Sequence, residues 1–242
     1  MTVARARRRE PADETRLGPP RLENGDTLTR TEFERRYAAM PWIKKAELVE
    51  GEVHMPSPVK RSHGASHAQL VGWLTVYCAA TPGIELCDNT TVRLDLDNEF
   101  QPDALLRLEP AAGGRSHTSS EDYVEGPPEL VVEVASSSAS IDLHAKKQVY
   151  RRNGVQEYLV WQLFERQLIW FELKAGEYSP LTPDEQGVLR SRVFPGLWLN
   201  VPAMLAGDLA TVLACLQGGL ASPEHAQFVQ ELNVRLAEAG RL

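Results

Sequence analysis

The chain has 242 residues, 43% of them hydrophobic, and a formal net charge of −7. This length and composition allow one well-packed core, so the simplest organisation is one domain with extensions. The negative charge argues against a protein that coats duplex nucleic acid through a broad basic face. It does not exclude a metal-dependent nuclease, whose acids cluster around the ion.

Neither export nor membrane insertion is expected. No apolar run approaches the roughly 18 residues that a membrane span needs, and the arginine-rich start of the chain is not followed by the apolar stretch of a signal peptide. The cysteines, Cys78, Cys87 and Cys215, are odd in number and form no CxxC motif. We therefore expect a cytoplasmic protein with reduced cysteines.

Residues 1–26 are predicted to be a disordered basic tail, since they combine Arg, Pro, Gly and acids with little apolar content. The tail could bind nucleic acid, although a solvated terminus is the commoner role of such a segment. Thr29 and Glu32 then form a capping-box pattern at the start of a short amphipathic helix that ends before Pro41.

A hairpin and a longer helix come next. Leu48 and Val53 flank Glu50-Gly51, which is typical of a tight turn, and Glu47 is the notable acid of this stretch. Apolar residues between 62 and 80 recur at helical spacing and predict a core-facing helix. His63 and His67 form an HxxxH pattern on it, but position 64 is Gly rather than the Glu of zinc peptidases, so packing or surface roles are favoured.

The predicted sheet is assembled from short segments. Residues 84–96 hold two strands, Pro102 opens another with Asp103 at its start, and residues 157–162, 168–173 and 176–181 predict an antiparallel meander. A turn at residues 194–197 is expected to close the sheet.

Two helices, roughly 203–217 and 223–239, end the chain, and Ser222 caps the second. The second helix carries an apolar stripe that either packs on the body or serves self-association, formed by Phe228, Val229, Leu232 and Leu236. We therefore divide the chain into a tail at 1–26, a domain at 27–205 and a helical extension at 206–242.

The stretch from Glu129 to Tyr158 is the predicted working centre. The apolar run 130–134 reads as a buried strand and contains one acid, Glu133, which is costly there unless it is paired. A serine-rich turn, 136–140, offers N-cap residues to a helix from about 141 to 152, on which Asp142, Lys146 and Tyr150 share one face.

Asp103, Glu133 and Lys146 could converge at one edge of the sheet. Two carboxylates suit Mg²⁺ or Mn²⁺, which would polarise a phosphodiester and lower the pKa of an attacking water, while an ammonium stabilises negative charge. Simpler roles stay open: a turn cap for Asp103, a solvated helix position for Lys146 and core packing for Tyr150. Serine or cysteine nucleophiles and a sugar-cleaving carboxylate pair are poorly supported, because no elbow motif is present and aromatic content is 7%.

The order and spacing of several motifs between about Glu47 and Leu199 resemble the Uma2-like proteins (DUF820) of the PD-(D/E)xK restriction-endonuclease-like superfamily. The matching pieces are Glu47-Leu-Val-Glu-Gly-Glu52, His63 seven residues before Leu70, Pro102-Asp103, Glu133-Val-Ala-Ser136 with Ser138, Asp142, Lys146, Tyr150, Gly154-Val155 and Glu157-Tyr158.

The resemblance implies an α/β (α+β) fold with a mixed central sheet flanked by helices, and a metal-dependent nuclease-like site. It carries over Glu47, Asp103, Glu133 and Lys146 as catalytic residues, with Asp103 and Glu133 on the metal. His63, Ser136, Asp142 and Tyr150 are supporting candidates. One departure is Ala135, which stands where the superfamily has a lysine, so that Lys146 on the helix takes this role.

Two hypotheses follow. The first is a Mg²⁺-dependent endonuclease that acts on nucleic acid, preferably DNA, and a homodimer would suit cleavage of two strands. The second is a catalytically inactive nuclease fold that binds DNA or a partner protein through the tail or the last helix. They differ in whether the four site residues converge within one metal shell, roughly 2.0–2.6 Å from an ion.

Overall fold

The computed structural model describes residues 18–56, 58–136 and 141–240. The first half of this part of the chain contains α1 (Arg30–Ala38), β1 (Glu47–Val49), β2 (Glu52–His54), α2 (Arg61–Ala79), β3 (Ile84–Asp88), β4 (Val92–Asp95), β5 (Asn98–Phe100), β6 (Ala104–Leu108), a short 3₁₀ turn (Pro110–Ala112), β7 (His117–Thr118) and β8 (Val124–Glu125). The second half contains β9 (Leu130–Ala135), a π-helical turn (Asp142–Lys146), α3 (Lys147–Asn153), β10 (Glu157–Gln162), β11 (Gln167–Lys174), β12 (Glu177–Pro180), β13 (Val188–Arg190), β14 (Trp198–Asn200), α4 (Val201–Ala206), α5 (Leu209–Leu220) and α6 (Pro223–Glu238).

The central sheet has the strand order β12-β11-β10-β9-β6-β3. Its middle pair, β9 and β10, is parallel and the other neighbours are antiparallel, so the sheet is mixed, as expected. The predicted meander is confirmed in β10, β11 and β12. The turn at 194–197 does not close this sheet; it precedes β14, which pairs with β13 in a separate ribbon.

A second sheet, here called the side sheet, has the order β2-β1-β5-β4-β8-β7. Only its β1–β2 hairpin and β4 were predicted. Glu50 and Gly51 form the hairpin turn with φ of 53° and 77°, the pair of positive values that a type I′ turn requires. The N–H of Glu50 donates to the Asn98 side chain at 2.8 Å, which ties the turn to β5.

Helices cover both faces of the central sheet. On one face α2, α4, α5 and α6 share an apolar core with the sheet, to which they contribute buried residues such as Trp73, Met204, Leu216 and Leu232. On the other face α3 packs with β1 and β5 in a smaller cluster around Tyr150. The apolar stripe of the last helix therefore packs on the body.

Two boundaries differ from the prediction. The helix expected over 203–217 is two helices, because Gly207 ends α4 in a left-handed conformation (φ 76°) and the Asp208 side chain caps α5 through the Thr211 N–H. The ordered chain also begins before residue 26, since Leu22 is buried against α1 and the β1–β2 hairpin. The rest of the predicted tail, 1–17, lies outside the described residues. Among the described helices, none is long and apolar enough to cross a bilayer.

Candidate active site

Asp103 directly precedes β6, and Glu133 lies in β9, the neighbouring strand of the central sheet. The antiparallel register pairs Ala104 with Val132, so one step further Asp103 lies across from Glu133. Asp103 does not cap a local turn: its Oδ2 accepts the Val134 N–H at 2.7 Å, which fixes the carboxylate against β9. Directly opposed residues have Cβ atoms about 5 Å apart, so these two acids occupy one spot on the sheet.

Lys146 reaches this spot from the helix that follows β9. Its Nζ lies 3.0 Å from Glu133 Oε1 and 2.9 Å from Glu47 Oε2, and the lysine side chain is only 5% exposed. Glu133 belongs to the central sheet and Glu47 to the side sheet, so one ammonium joins the two sheets. Lys146 is therefore not a solvated helix lysine, the simpler role that the sequence left open.

The helix reaches Glu133 through a π-helical turn. Asp142 begins this turn and Lys146 ends it, and their side chains approach to 3.6 Å. One turn later the Tyr150 hydroxyl donates to Glu133 Oε1 at 3.3 Å, while the Tyr158 hydroxyl donates to the Asp142 carbonyl. Such π-turns are uncommon and concentrate at functional sites. The residues predicted to share a helix face do so here, around Glu133.

Two histidines of α2 border the acids from the other side. His63 Nε2 lies 3.4 Å from Asp103 Oδ2, and His63 Nδ1 is a buried atom without a hydrogen-bond partner in the described part of the chain. His67 Nε2 lies 2.8 Å from the Asp103 carbonyl and 2.7 Å from Asp88 Oδ1. The pair is therefore engaged with Asp103 and its surroundings rather than arranged as a zinc site.

The carboxylates of the site outnumber its buried cations. Burial, the largest effect, raises the pKa of Glu133 to about 8, and the nearby Asp142, Asp103 and Glu47 add to the rise while Lys146 opposes it. Burial alone would lower the pKa of Lys146, but the three acids Glu133, Glu47 and Asp142 raise it well above its ordinary value. Lys146 is thus charged, and Glu133 takes up a proton near neutral pH.

Glu47 and Asp103 are held in the ionised form. Burial would raise the pKa of Glu47, but Lys146, Lys45 and the Gln101 N–H, which donates at 2.8 Å, keep it below its usual value. Burial is likewise outweighed at Asp103, whose pKa is lowered by His63 and the Val134 N–H. Lys45 and Gln101 belong to the site but were not singled out from the sequence, because no motif marks a backbone donor or a lysine in a loop.

The donor set fits a hard divalent cation. Carboxylate oxygens are the ligands that Mg²⁺ and Mn²⁺ prefer. After burial, the neighbouring acids Asp142, Asp103 and Glu47 also raise the pKa of Glu133, so several acids are concentrated at this spot. In the described residues no group of three or more His, Cys, Asp or Glu side chains is already arranged to hold an ion. The fit therefore depends on the chemistry and charge of the acids.

The remaining candidates contribute less. Ser136 directly follows β9 and is half-buried, and Ser138 falls in 137–140, outside the described residues. Ala135, where the superfamily has its lysine, is buried two residues beyond Glu133 in the cluster that contains Tyr150. Because the Ala135 side chain is small, there is room for Lys146 on this face of β9.

Comparisons with known proteins identify the family and the fold of the chain. The profile of the Uma2 family, described as "Putative restriction endonuclease", matches residues 30–202. The crystal structure of a protein from Anabaena variabilis, titled a putative nuclease belonging to DUF820, superposes with a TM-score of 0.51 at 12% identity, over 66% of this chain and 89% of that one. At that identity the likeness shows a common fold. No curated protein sequence matches the chain.

Proposed function

Because this chain belongs to the Uma2 family, we propose that it is a nuclease that hydrolyses phosphodiester bonds, with DNA as the preferred substrate and Mg²⁺ or Mn²⁺ as the cofactor. The observation that carries the proposal is the position of Lys146, whose ammonium lies 3.0 Å from Glu133 and 2.9 Å from Glu47. A strand acid, its opposed aspartate and a lysine at one spot are what metal-assisted phosphodiester hydrolysis needs.

Asp103 and Glu133 would hold the metal, which, when bound, polarises the phosphodiester and lowers the pKa of an attacking water. Lys146 would stabilise the negative charge that develops on the phosphate, since its pKa stays well above neutral. Glu47 fixes the direction of Lys146 and is itself held by the Gln101 N–H. Tyr150 restrains Glu133 through its hydroxyl, and His63 borders Asp103.

The test is cleavage of plasmid and single-stranded DNA by the wild type and by Glu133→Gln, with Mg²⁺ and Mn²⁺ titrated into both proteins by calorimetry. Glu129→Gln is the matched control: Glu129 is a buried acid beside the same strand, but it accepts the Leu108 N–H instead of meeting Lys146. We expect Glu133→Gln to lose metal binding and cleavage, and Glu129→Gln to keep both. Unchanged cleavage by Glu133→Gln would contradict the assignment of Glu133 as a metal ligand.

A second candidate function is a nuclease fold that binds nucleic acid or a partner without turnover. It is favoured by the closure of the site, since Glu133 and Lys146 are each only 4% exposed and Lys146 already neutralises part of the charge. Metal-independent DNA binding with no cleavage under any metal would support it. A homodimer that brings two sites to two strands stays a prediction, which sedimentation of the full chain would test.

A further inference from the structure

The loop that joins α1 to β1 carries an exposed tryptophan beside two lysines. Trp42 is 68% exposed, whereas Trp73, Trp161 and Trp170 are no more than 5% exposed and Trp198 is half-buried. A large aromatic side chain is seldom left in solvent, because its burial stabilises the fold by a few kcal/mol. Lys44 is exposed two residues later, and Lys45 is half-buried beyond it.

This loop is connected to the candidate active site in two ways. Lys45 acts electrostatically on both Glu47 and Asp103. Pro41 and Ile43, on either side of Trp42, line a cleft of about 620 Å³ that Gln101 also lines, and the Gln101 N–H donates to Glu47. Trp42 therefore lies between two residues that line this cleft, and Gln101 connects the cleft to Glu47.

A second basic segment approaches the same acids from α2. Lys60 and Arg61 are exposed at the start of this helix, three and two residues before His63, which contacts Asp103. Within the described residues Lys44, Lys60 and Arg61 have no carboxylate within 4.0 Å, whereas the buried Arg93 in the cleft meets four. Three of these acids also line the cleft around Arg93, so the cations left for a phosphate group are the exposed ones outside it.

We propose that Trp42, Lys44, Lys60 and Arg61 form the substrate-binding surface of the active site, and that its ligand is single-stranded nucleic acid. An indole stacks only on a base whose face is open, as in a single strand, and each such stack contributes strongly whatever the base. The cations, which are few against a net charge of −7, can contact a short stretch of phosphates but cannot coat a duplex. This inference rests on the proposed nuclease function and specifies its substrate.

The experiment measures binding apart from cleavage. Anisotropy of a labelled strand of about 16 nucleotides, and of the matching duplex, is followed with the full chain in EDTA, where metal-dependent cleavage cannot occur. We expect the single strand to bind more tightly than the duplex, and Trp42→Ala to weaken single-strand binding about tenfold. Trp42→Phe should recover part of the loss. Val234→Ala, another exposed apolar truncation, on α6, should leave binding unchanged.

Tryptophan fluorescence gives a second readout. Since Trp42 is the most exposed of the five tryptophans, stacking should quench the wild type on addition of single-stranded DNA, and Trp42→Phe should abolish the quenching. Equal binding by wild type and Trp42→Ala, or a preference for the duplex, would overturn this inference while leaving the nuclease proposal standing. Absence of metal-dependent cleavage from wild type on every substrate would overturn the nuclease proposal instead.

Discussion

Strand β9 presents its side chains alternately to the two faces of the central sheet, and these faces are filled in opposite ways. Leu130, Val132 and Val134 enter the apolar core formed with α2 and the C-terminal helices. Glu133 points to the other face, where it meets Lys146 and Tyr150. The same strand thus supports a hydrophobic core on one side and a buried ionic cluster on the other.

The apolar face of the sheet contributes mainly to stability, whereas the ionic cluster on the other face is better explained by function. Apolar burial stabilises the fold in proportion to area and is insensitive to pH. A buried ion cluster gains little net stability, because desolvation of each charge offsets the attraction, yet it becomes strongly destabilising when one partner is removed. Four buried acids beside one buried ammonium are therefore not explained by folding, and the metal-dependent reaction proposed above would use them.

The largest effect is expected on the apolar face, from Trp73→Ala. Trp73 is fully buried, packs edge to face on Trp170 with ring centroids 5.8 Å apart, and donates to the Trp198 carbonyl at 3.0 Å. The truncation should lower the free energy of unfolding by about 3–5 kcal/mol. Urea denaturation at pH 6 and pH 8 should give the same loss, and a loss that varied strongly with pH would contradict the comparison.

Lys146→Met should cost about 3 kcal/mol at neutral pH, because it leaves several carboxylates uncompensated. The pKa of Glu133 is already raised to about 8, and loss of the ammonium raises it further. The folded variant then binds protons that the unfolded chain does not, so its stability should rise as the pH is lowered from 8 toward 5.

Lys147→Met is the matched control for that variant. Lys147 is the next residue, is half-buried, and lies over the Phe171 ring at 3.8 Å. No acid of the described residues forms an ion pair with its ammonium. Denaturant unfolding should show a much smaller cost with little pH dependence. If Lys146→Met and Lys147→Met lowered the free energy of unfolding equally, the ionic cluster would not be what distinguishes the two faces of the central sheet.

Glu157→Gln tests a buried acid that forms no ion pair with a lysine among the described residues. Burial raises the pKa of Glu157 to about 7, against the opposing hydrogen bonds from the Arg192 N–H and the Ser191 hydroxyl. The folded state therefore holds a proton between pH 4.5 and 7 that the unfolded state has lost, so stability falls as the pH rises through this window, by roughly 3 kcal/mol. The variant should lack this part of the slope in pH-dependent urea melts, and an unchanged slope would refute the assignment.

The smallest effect is expected from Tyr150→Phe. The substitution keeps the ring that packs on Phe100 and Tyr158 but removes the hydroxyl that donates to Glu133 at 3.3 Å. Thermal unfolding should show a loss of about 1 kcal/mol. Cleavage should slow if Tyr150 restrains Glu133, and a wild-type rate would assign the tyrosine to packing alone.

Much of the fold could be predicted from local sequence patterns. The N-cap at Thr29, the hairpin turn at Glu50-Gly51, the cap at Ser222 and the strand around Glu133 appear as predicted, because each depends on neighbouring residues. The capping box is only half formed, since the Glu32 carboxylate binds Arg35 and Arg36 instead of the Thr29 N–H. The break between α4 and α5 was missed although Gly207-Asp208 carried its signal, a left-handed terminator followed by a cap. The apolar periodicity on both sides outweighed it.

The sequence by itself determined which residue types carry the chemistry: an acid inside an apolar strand needs a partner, and Lys146 on the next helix can supply one. Tertiary structure decided that the lysine also meets Glu47, 99 residues earlier, and that it does so across two sheets. It also decided that Asp103 binds the backbone of β9, that His63 lies beside it and that Lys45 acts on it electrostatically. The physical reason is the sequence distance over which the contacts act. Caps, turns and strand alternation depend on contacts within a few residues. The charge balance of a buried site depends instead on which distant segments the packed core brings together.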